Sequence, residues 1–267
     1  MKELLHCAVA LLMMAPGATP QAPPSFPEGM PARRGMPPRD IAAEIKSPQP
    51  RVVTPGKMPG DPPSDAVVLF DGKDMSQWTL RGGSPAKCEV RNGEMLCTSG
   101  VGNIFSKATF RSAQIHVEFA PPDMPAIRPN GQFDPQVKGN SGVYLQGRYE
   151  IQILDSYNNP TYANGSNGAL YGVAAPLVNA SRPPGQWQTF DIIFHAPKCD
   201  GEKLVSTGSV TLLHNGVLVL DNVALRPRLS CSQGLAEPGP LMLQDHEPNG
   251  PKTVMRFRNI WFRPLDE

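Results

Sequence analysis

The chain has 267 residues and a net charge of +1, which argues against nucleic acid or an anionic membrane surface as partner. Its 31 prolines exceed ordinary usage, and fourteen of them fall between Pro16 and Pro63. That clustering leaves about 200 residues for one packed domain, enough to bury a core of its own.

Residues 1–22 read as a secretory signal. Lys2 supplies the positive start, residues 4–14 are apolar except for His6 and Cys7, and small residues follow at Ala15, Gly17 and Ala18. The run is too short to span a bilayer, so the expected location is secreted or periplasmic, with no membrane span. Residues 23–64 hold Pro, Gly, Ala and scattered charge. Such a stretch buries too little apolar surface to offset its ordering entropy, and it reads as a disordered linker. Residues 65–267 then form the domain.

The domain opens with a strand over residues 67–70, the turn Asp71-Gly72, and Trp78 as a plug at the sandwich edge. Asn92-Gly93 is a type I′ hairpin signal. Counting outward pairs Arg91 with Glu94, Val90 with Met95, Glu89 with Leu96 and Cys88 with Cys97. A non-hydrogen-bonded pair has a Cα separation of about 4.5 Å, within disulfide range. An exported chain is expected to close that bond. Cys7 leaves with the signal, so Cys199 and Cys231 form the other by elimination.

Over residues 113–120, Ile115, Val117 and Phe119 alternate with His116 and Glu118, a half-buried strand with His116 on its outer side. Residues 121–138 form a long Pro- and Gly-rich loop placed to wall a cleft. Residues 139–155 follow as two short strands. A two-residue turn at Gly147-Arg148 sets Leu145 opposite Glu150 and Val143 opposite Gln152. Glu150 and Gln152 then share one face, roughly 6–7 Å apart, while Tyr149, Ile151 and Ile153 face the core. A carboxylate and an amide mid-strand need partners, water or a ligand, which marks a site.

Residues 156–184 form another long connection, carrying Tyr157, Tyr162 and Tyr171. A strand at 187–196 and a hairpin about Asn215-Gly216 follow, and segments 239–245 and 253–263 complete the sheets. Gln244 and His246 share a face at the end of the first of these; Arg256 and Arg258 share a face on the second. Regular short strands without a long helical pattern predict an all-β, antiparallel sandwich.

The motifs "GNSGVYLQGRYEIQILDS", "ALYG", "WQTFDI", "GPLMLQDH" and "FRNIWFRP" together resemble the 3-keto-disaccharide hydrolase family, from about Val67 to Pro264. The resemblance implies a concanavalin A-like jelly roll that cleaves 3-keto-glycosides. A C3 ketone acidifies the C2 hydrogen, so a base can form the enolate and the C1 oxygen can leave by β-elimination, with net hydrolysis if water adds back. In that chemistry Glu150 and His246 serve as base and acid, in either order, and Asp155 holds His246 or a metal. Gln152, Gln244, Tyr171, Arg148 and Arg258 are the substrate-binding candidates, and the expected partner is an oligosaccharide or glycoside.

No cofactor is indicated, although Glu150, Asp155 and His246 could hold a divalent cation. Two other functions stay open: a non-catalytic carbohydrate-binding module, and a retaining glycosidase on the same fold. The latter needs paired carboxylates, and the run Glu150-Ile-Gln152-Ile-Leu-Asp155 places an amide and an out-of-phase acid where they belong.

Overall fold

The computed structural model describes residues 50–246 and 252–265. The signal, Cys7 and the linker as far as residue 49 lie outside the described residues. The chain divides into Met1–Arg51 and Val52–Glu267, and the second unit holds every element below.

The strands are β1 (Val67–Phe70), β2 (Trp78–Leu80), β3 (Glu89–Arg91), β4 (Glu94–Thr98), β5 (Ile104–Phe110), β6 (Ala113–Ala120), β7 (Ser141–Leu145) and β8 (Tyr149–Ile153). They continue with β9 (Gln188–His195), β10 (Lys198–Asp200), β11 (Lys203–Ser206), β12 (Ser209–His214), β13 (Val217–Ala224), β14 (Gly239–Leu243) and β15 (Val254–Pro264). The larger sheet runs β13-β12-β9-β6-β15-β4-β3, with β1 also paired to β15; the smaller runs β2-β5-β14-β7-β8. β10 and β11 form a separate ribbon. All pairs are antiparallel, and the two sheets make the jelly-roll sandwich.

Period-two alternation explains the core between the sheets. Ile115, Val117 and Phe119 of β6 and Phe190, Ile192 and Phe194 of β9 meet Val143, Leu145, Ile151 and Ile153 of the smaller sheet in one buried cluster. Each such side chain contributes about 1.5–3 kcal/mol on burial. Trp78 is buried and donates its indole N–H to Leu69 O at 2.9 Å, closing one edge. The hairpin register places Glu89 opposite Leu96 and Arg91 opposite Glu94, and Cys88 and Cys97 are bonded with Cα atoms 4.5 Å apart. Cys199 and Cys231 form the second disulfide.

Two expectations from composition and alternation are corrected on the outer face of the larger sheet. Residues 54–64, assigned to the linker, form a loop closed by Ser64 N–H to Thr54 O (2.9 Å) and Thr54 N–H to Ser64 Oγ (3.0 Å). Its Gly60 carbonyl accepts from Asn259 Nδ2 at 2.9 Å and from Trp261 Nε1 at 2.8 Å. His116, expected at the surface, is only 2 % exposed because this loop covers it. Its Nδ1 lies 2.6 Å from Asp191, its Nε2 is in ion-pair contact with Glu118 at 3.6 Å, and its ring stacks on Trp261. Burial alone would lower the imidazole pKa, but the two carboxylates outweigh it and raise it to about 9.

Candidate functional site

The site lies on the outer face of the smaller sheet, and the β7–β8 hairpin builds it. Leu145 pairs with Tyr149, Tyr144 with Glu150, Val143 with Ile151 and Gly142 with Gln152. The register is therefore one residue away from that of a two-residue turn at Gly147-Arg148. Gln146 and Gly147 both take left-handed conformations, with φ of 54° and 63°, giving a three-residue connection. The apolar phase enforces this pairing: Val143 and Leu145 join Ile151 and Ile153 in the core, so Tyr144 must stand with Glu150 outside it.

Tyr144 becomes the centre of a polar row across three strands. Its hydroxyl hydrogen-bonds the Glu150 carboxylate and accepts from Gln244 Nε2 at 3.1 Å. The backbone N–H of Gln244 donates to Gly142 O at 3.0 Å, which fixes the end of β14 beside β7. Gln152 is 1 % exposed, and its amide donates to Asn140 Oδ1 at 3.1 Å.

Loops raise the walls. Along the free edge of β8, Gln152 N–H bonds Ala169 O (2.9 Å) and Tyr171 N–H bonds Glu150 O (3.0 Å). This holds Tyr171 at the rim, its hydroxyl 2.8 Å from that of Tyr162. On the other side, residues 126–134 form a finger, closed by Arg128 N–H to Gln132 O and Asp134 N–H to Ala126 O. Arg128 is ion-paired with Asp134 across its base. Beyond β14, the Asp245 carboxylate accepts from Gly100 N–H (2.9 Å) and Gly102 N–H (2.7 Å), anchoring the backbone just before His246.

The open cleft between these walls is about 490 Å³, a size suited to a sugar. Glu150, Gln152, Gln244, Tyr171 and His246 line it together with Tyr144, Tyr162, Asn140, Gln136, Arg128 and Asp134. Burial lifts the Glu150 carboxyl above its ordinary value, against the opposing effects of the Tyr144 hydrogen bond and the Arg228 charge. The Tyr144 phenol is raised by burial and by Glu150, so it stays protonated and donates. A desolvated carboxylate is a stronger base than an exposed one, and here it already has a hydroxyl to orient it. Replacing Tyr144 with Phe removes a hydrogen bond that favours the ionised form. Glu150 is then expected to titrate at higher pH still, measurable by carboxyl carbon NMR; an unchanged or lower midpoint would contradict the pairing.

Three candidates stand elsewhere. Asp155 is buried beyond the end of β8, where Lys138 Nζ contacts it at 2.9 Å and Tyr157 N–H donates to it at 3.1 Å. It is out of phase with Glu150 and does not reach the cleft, so the set Glu150, Asp155 and His246 is not assembled for a cation. Among the described residues, no three His, Cys, Asp or Glu side chains gather to hold a metal ion. Arg148 braces the hairpin tip, donating to Leu235 O at 3.0 Å and Glu237 O at 3.1 Å. Arg258 is on the larger sheet, paired with Glu118 at 2.6 Å and stacked over Trp187 at 4.2 Å.

Among residues that sequence reasoning missed, Tyr144 was available from the apolar phase of β7. Arg128 and Asp134 carry no periodic signal, since they sit in an irregular loop.

A crystal structure of a candidate glycosyl hydrolase from Parabacteroides distasonis ATCC 8503 is similar to this chain. It is 37 % identical, over 86 % of this chain and 100 % of that one, with a TM-score of 0.73. A second candidate glycosyl hydrolase of that organism shares the fold at 17 % identity, over 76 % of this chain and 94 % of the other, with a TM-score of 0.52. No curated protein matches the chain. The family model described as the 3-keto-alpha-glucoside-1,2-lyase-like domain matches residues 65–263, and the chain belongs to that family.

Proposed function

We propose that this protein is an exported carbohydrate-active enzyme that cleaves 3-keto-glycosides by elimination across C1 and C2. The observation that carries this reading is the Glu150 carboxyl, desolvated and oriented by Tyr144, in one cleft with His246. Glu150 takes the C2 proton, and the electron pair of that bond forms an enolate on the C3 oxygen. The enolate re-forms the ketone as the C1–oxygen bond breaks, and the departing oxygen receives a proton from His246. The sugar product carries a C1–C2 double bond conjugated to the ketone; adding water across it makes the overall change a hydrolysis. In this reading the Gln152 and Gln244 amides, which line the cleft, orient the sugar, and the Tyr162–Tyr171 pair offers apolar edges for its faces.

The disulfides Cys88–Cys97 and Cys199–Cys231 suit an oxidising compartment, in keeping with export. A paired-carboxylate glycosidase is less well supported. The other carboxylate lining the cleft, Asp134, is engaged by Arg128 and by Gln136 N–H.

The test is to incubate the purified full chain with a 3-keto-glucoside and with its unoxidised parent. Aglycone release from the keto compound alone is expected. Release from both would indicate a conventional glycosidase, and sugar binding without release from either would indicate a binding module.

A further inference from the structure

From the space around Glu150, we infer that Gly142 is a positioning residue: the lack of a side chain there creates the hollow in which the Glu150 carboxylate meets Tyr144. The inference rests on the reading of Glu150 as the reacting group.

Gly142 lies within β7, directly opposite Gln152 and two residues from Tyr144, whose partner is Glu150. Its backbone is not in the left-handed region, unlike Gly139 at φ 58° and Gly147 at φ 63°. Any residue could adopt its conformation, so the chain geometry does not call for glycine. The surroundings do. A Cβ at position 142 would stand 2.7 Å from Glu150 Oε1, 3.2 Å from Glu150 Cγ and 3.0 Å from Tyr144 Cε2. Ordinary contact begins near 3.4 Å. One methyl group would therefore push the carboxylate aside by about 0.7 Å (3.4 − 2.7) and press on the ring that bonds it. Both side chains lean over the glycine from the same side, and their hydrogen bond depends on that space. A displacement approaching 1 Å in a catalytic group costs on the order of 10²-fold in rate.

Gly142→Ala is expected to lower kcat about 10²-fold on a 3-keto-glucoside while KM stays within about threefold, because the sugar-binding amides are untouched. The second arm needs no substrate. Stability is measured by urea unfolding for the wild type, Gly142→Ala, Glu150→Ala and the double variant. With Glu150 truncated only the Tyr144 ring, at 3.0 Å, still crowds the methyl group, so the destabilisation caused by Gly142→Ala should be clearly smaller in that background. If Gly142→Ala fails to fold while the double variant folds, the inference stands. An equal cost in both backgrounds, or failure of both to fold, overturns it. Lack of turnover by the wild type would refute the proposed reaction, while the stability cycle would still decide whether Gly142 makes room for Glu150.

Discussion

Glu150→Gln is expected to reduce turnover of a 3-keto-glycoside by about 10³-fold, with little change in KM, within the usual span for a general base. The substitution keeps size and polarity, so binding and the core behind β8 should persist. What disappears is a carboxylate able to remove a proton from carbon. His246→Ala should also be slow, with the defect depending on the leaving group. A good leaving oxygen departs without help, so an acidic aglycone should recover most of the rate in His246→Ala and little in Glu150→Gln. Retention of more than a tenth of wild-type kcat in Glu150→Gln would remove this side chain from the mechanism. In the wild type, the acidic limb of kcat/KM should lie above the ordinary glutamate value, because burial raises Glu150.

His116→Asn is expected to cost up to about 3 kcal/mol of stability near pH 6.5, the lower end of the range for breaking a buried ion pair, because Asp191 is half exposed. Asp191 and Glu118 would lose the cation between them; Glu118 would keep Arg258, while Asp191 would depend on solvent. The loss should depend on pH with a definite sign. The imidazole pKa rises from 6.5 to about 9 on folding, so its contribution is complete below pH 6.5 and fades as pH climbs through 9. At 1.36 kcal/mol per unit, that interval corresponds to on the order of 3 kcal/mol. His214 acts on the other limb: burial holds it neutral with a pKa lowered to about 4, so its contribution is present above pH 6.5 and is lost as pH falls through 4. Urea unfolding at pH 6.5, 8 and 10 checks the prediction. A wild-type advantage that is the same at all three would show that His116 acts through packing instead of charge.

Local signals carried most of the fold. Asn92-Gly93 and Asn215-Gly216 place their hairpins, with Arg91 opposite Glu94 and His214 opposite Val217. The face shared by Glu150 and Gln152 also follows from alternation, whatever the register. The pairing across β7 was less legible because a non-glycine residue, Gln146, occupies the left-handed region, which turn chemistry does not anticipate. His116 was misjudged for a non-local reason. Alternation assigns a side chain to a face but says nothing about what later covers that face. Arg258 and Asp155 are charged groups close to suggestive motifs, yet sheet membership and strand phase direct them to structural partners. Sequence proximity to a motif was a weak guide; phase on the strand was a strong one.

The cover over His116 also separates two meanings of a domain boundary. The family model begins at residue 65, whereas the physically coherent body begins near Val52. Trimming the chain to its recognisable part would unroof an indole and a charged trio, and water would then compete for every bond among them. The proline-rich stretch thus ends as a lid fixed to the scaffold, and the minimal autonomous unit is longer than its signature.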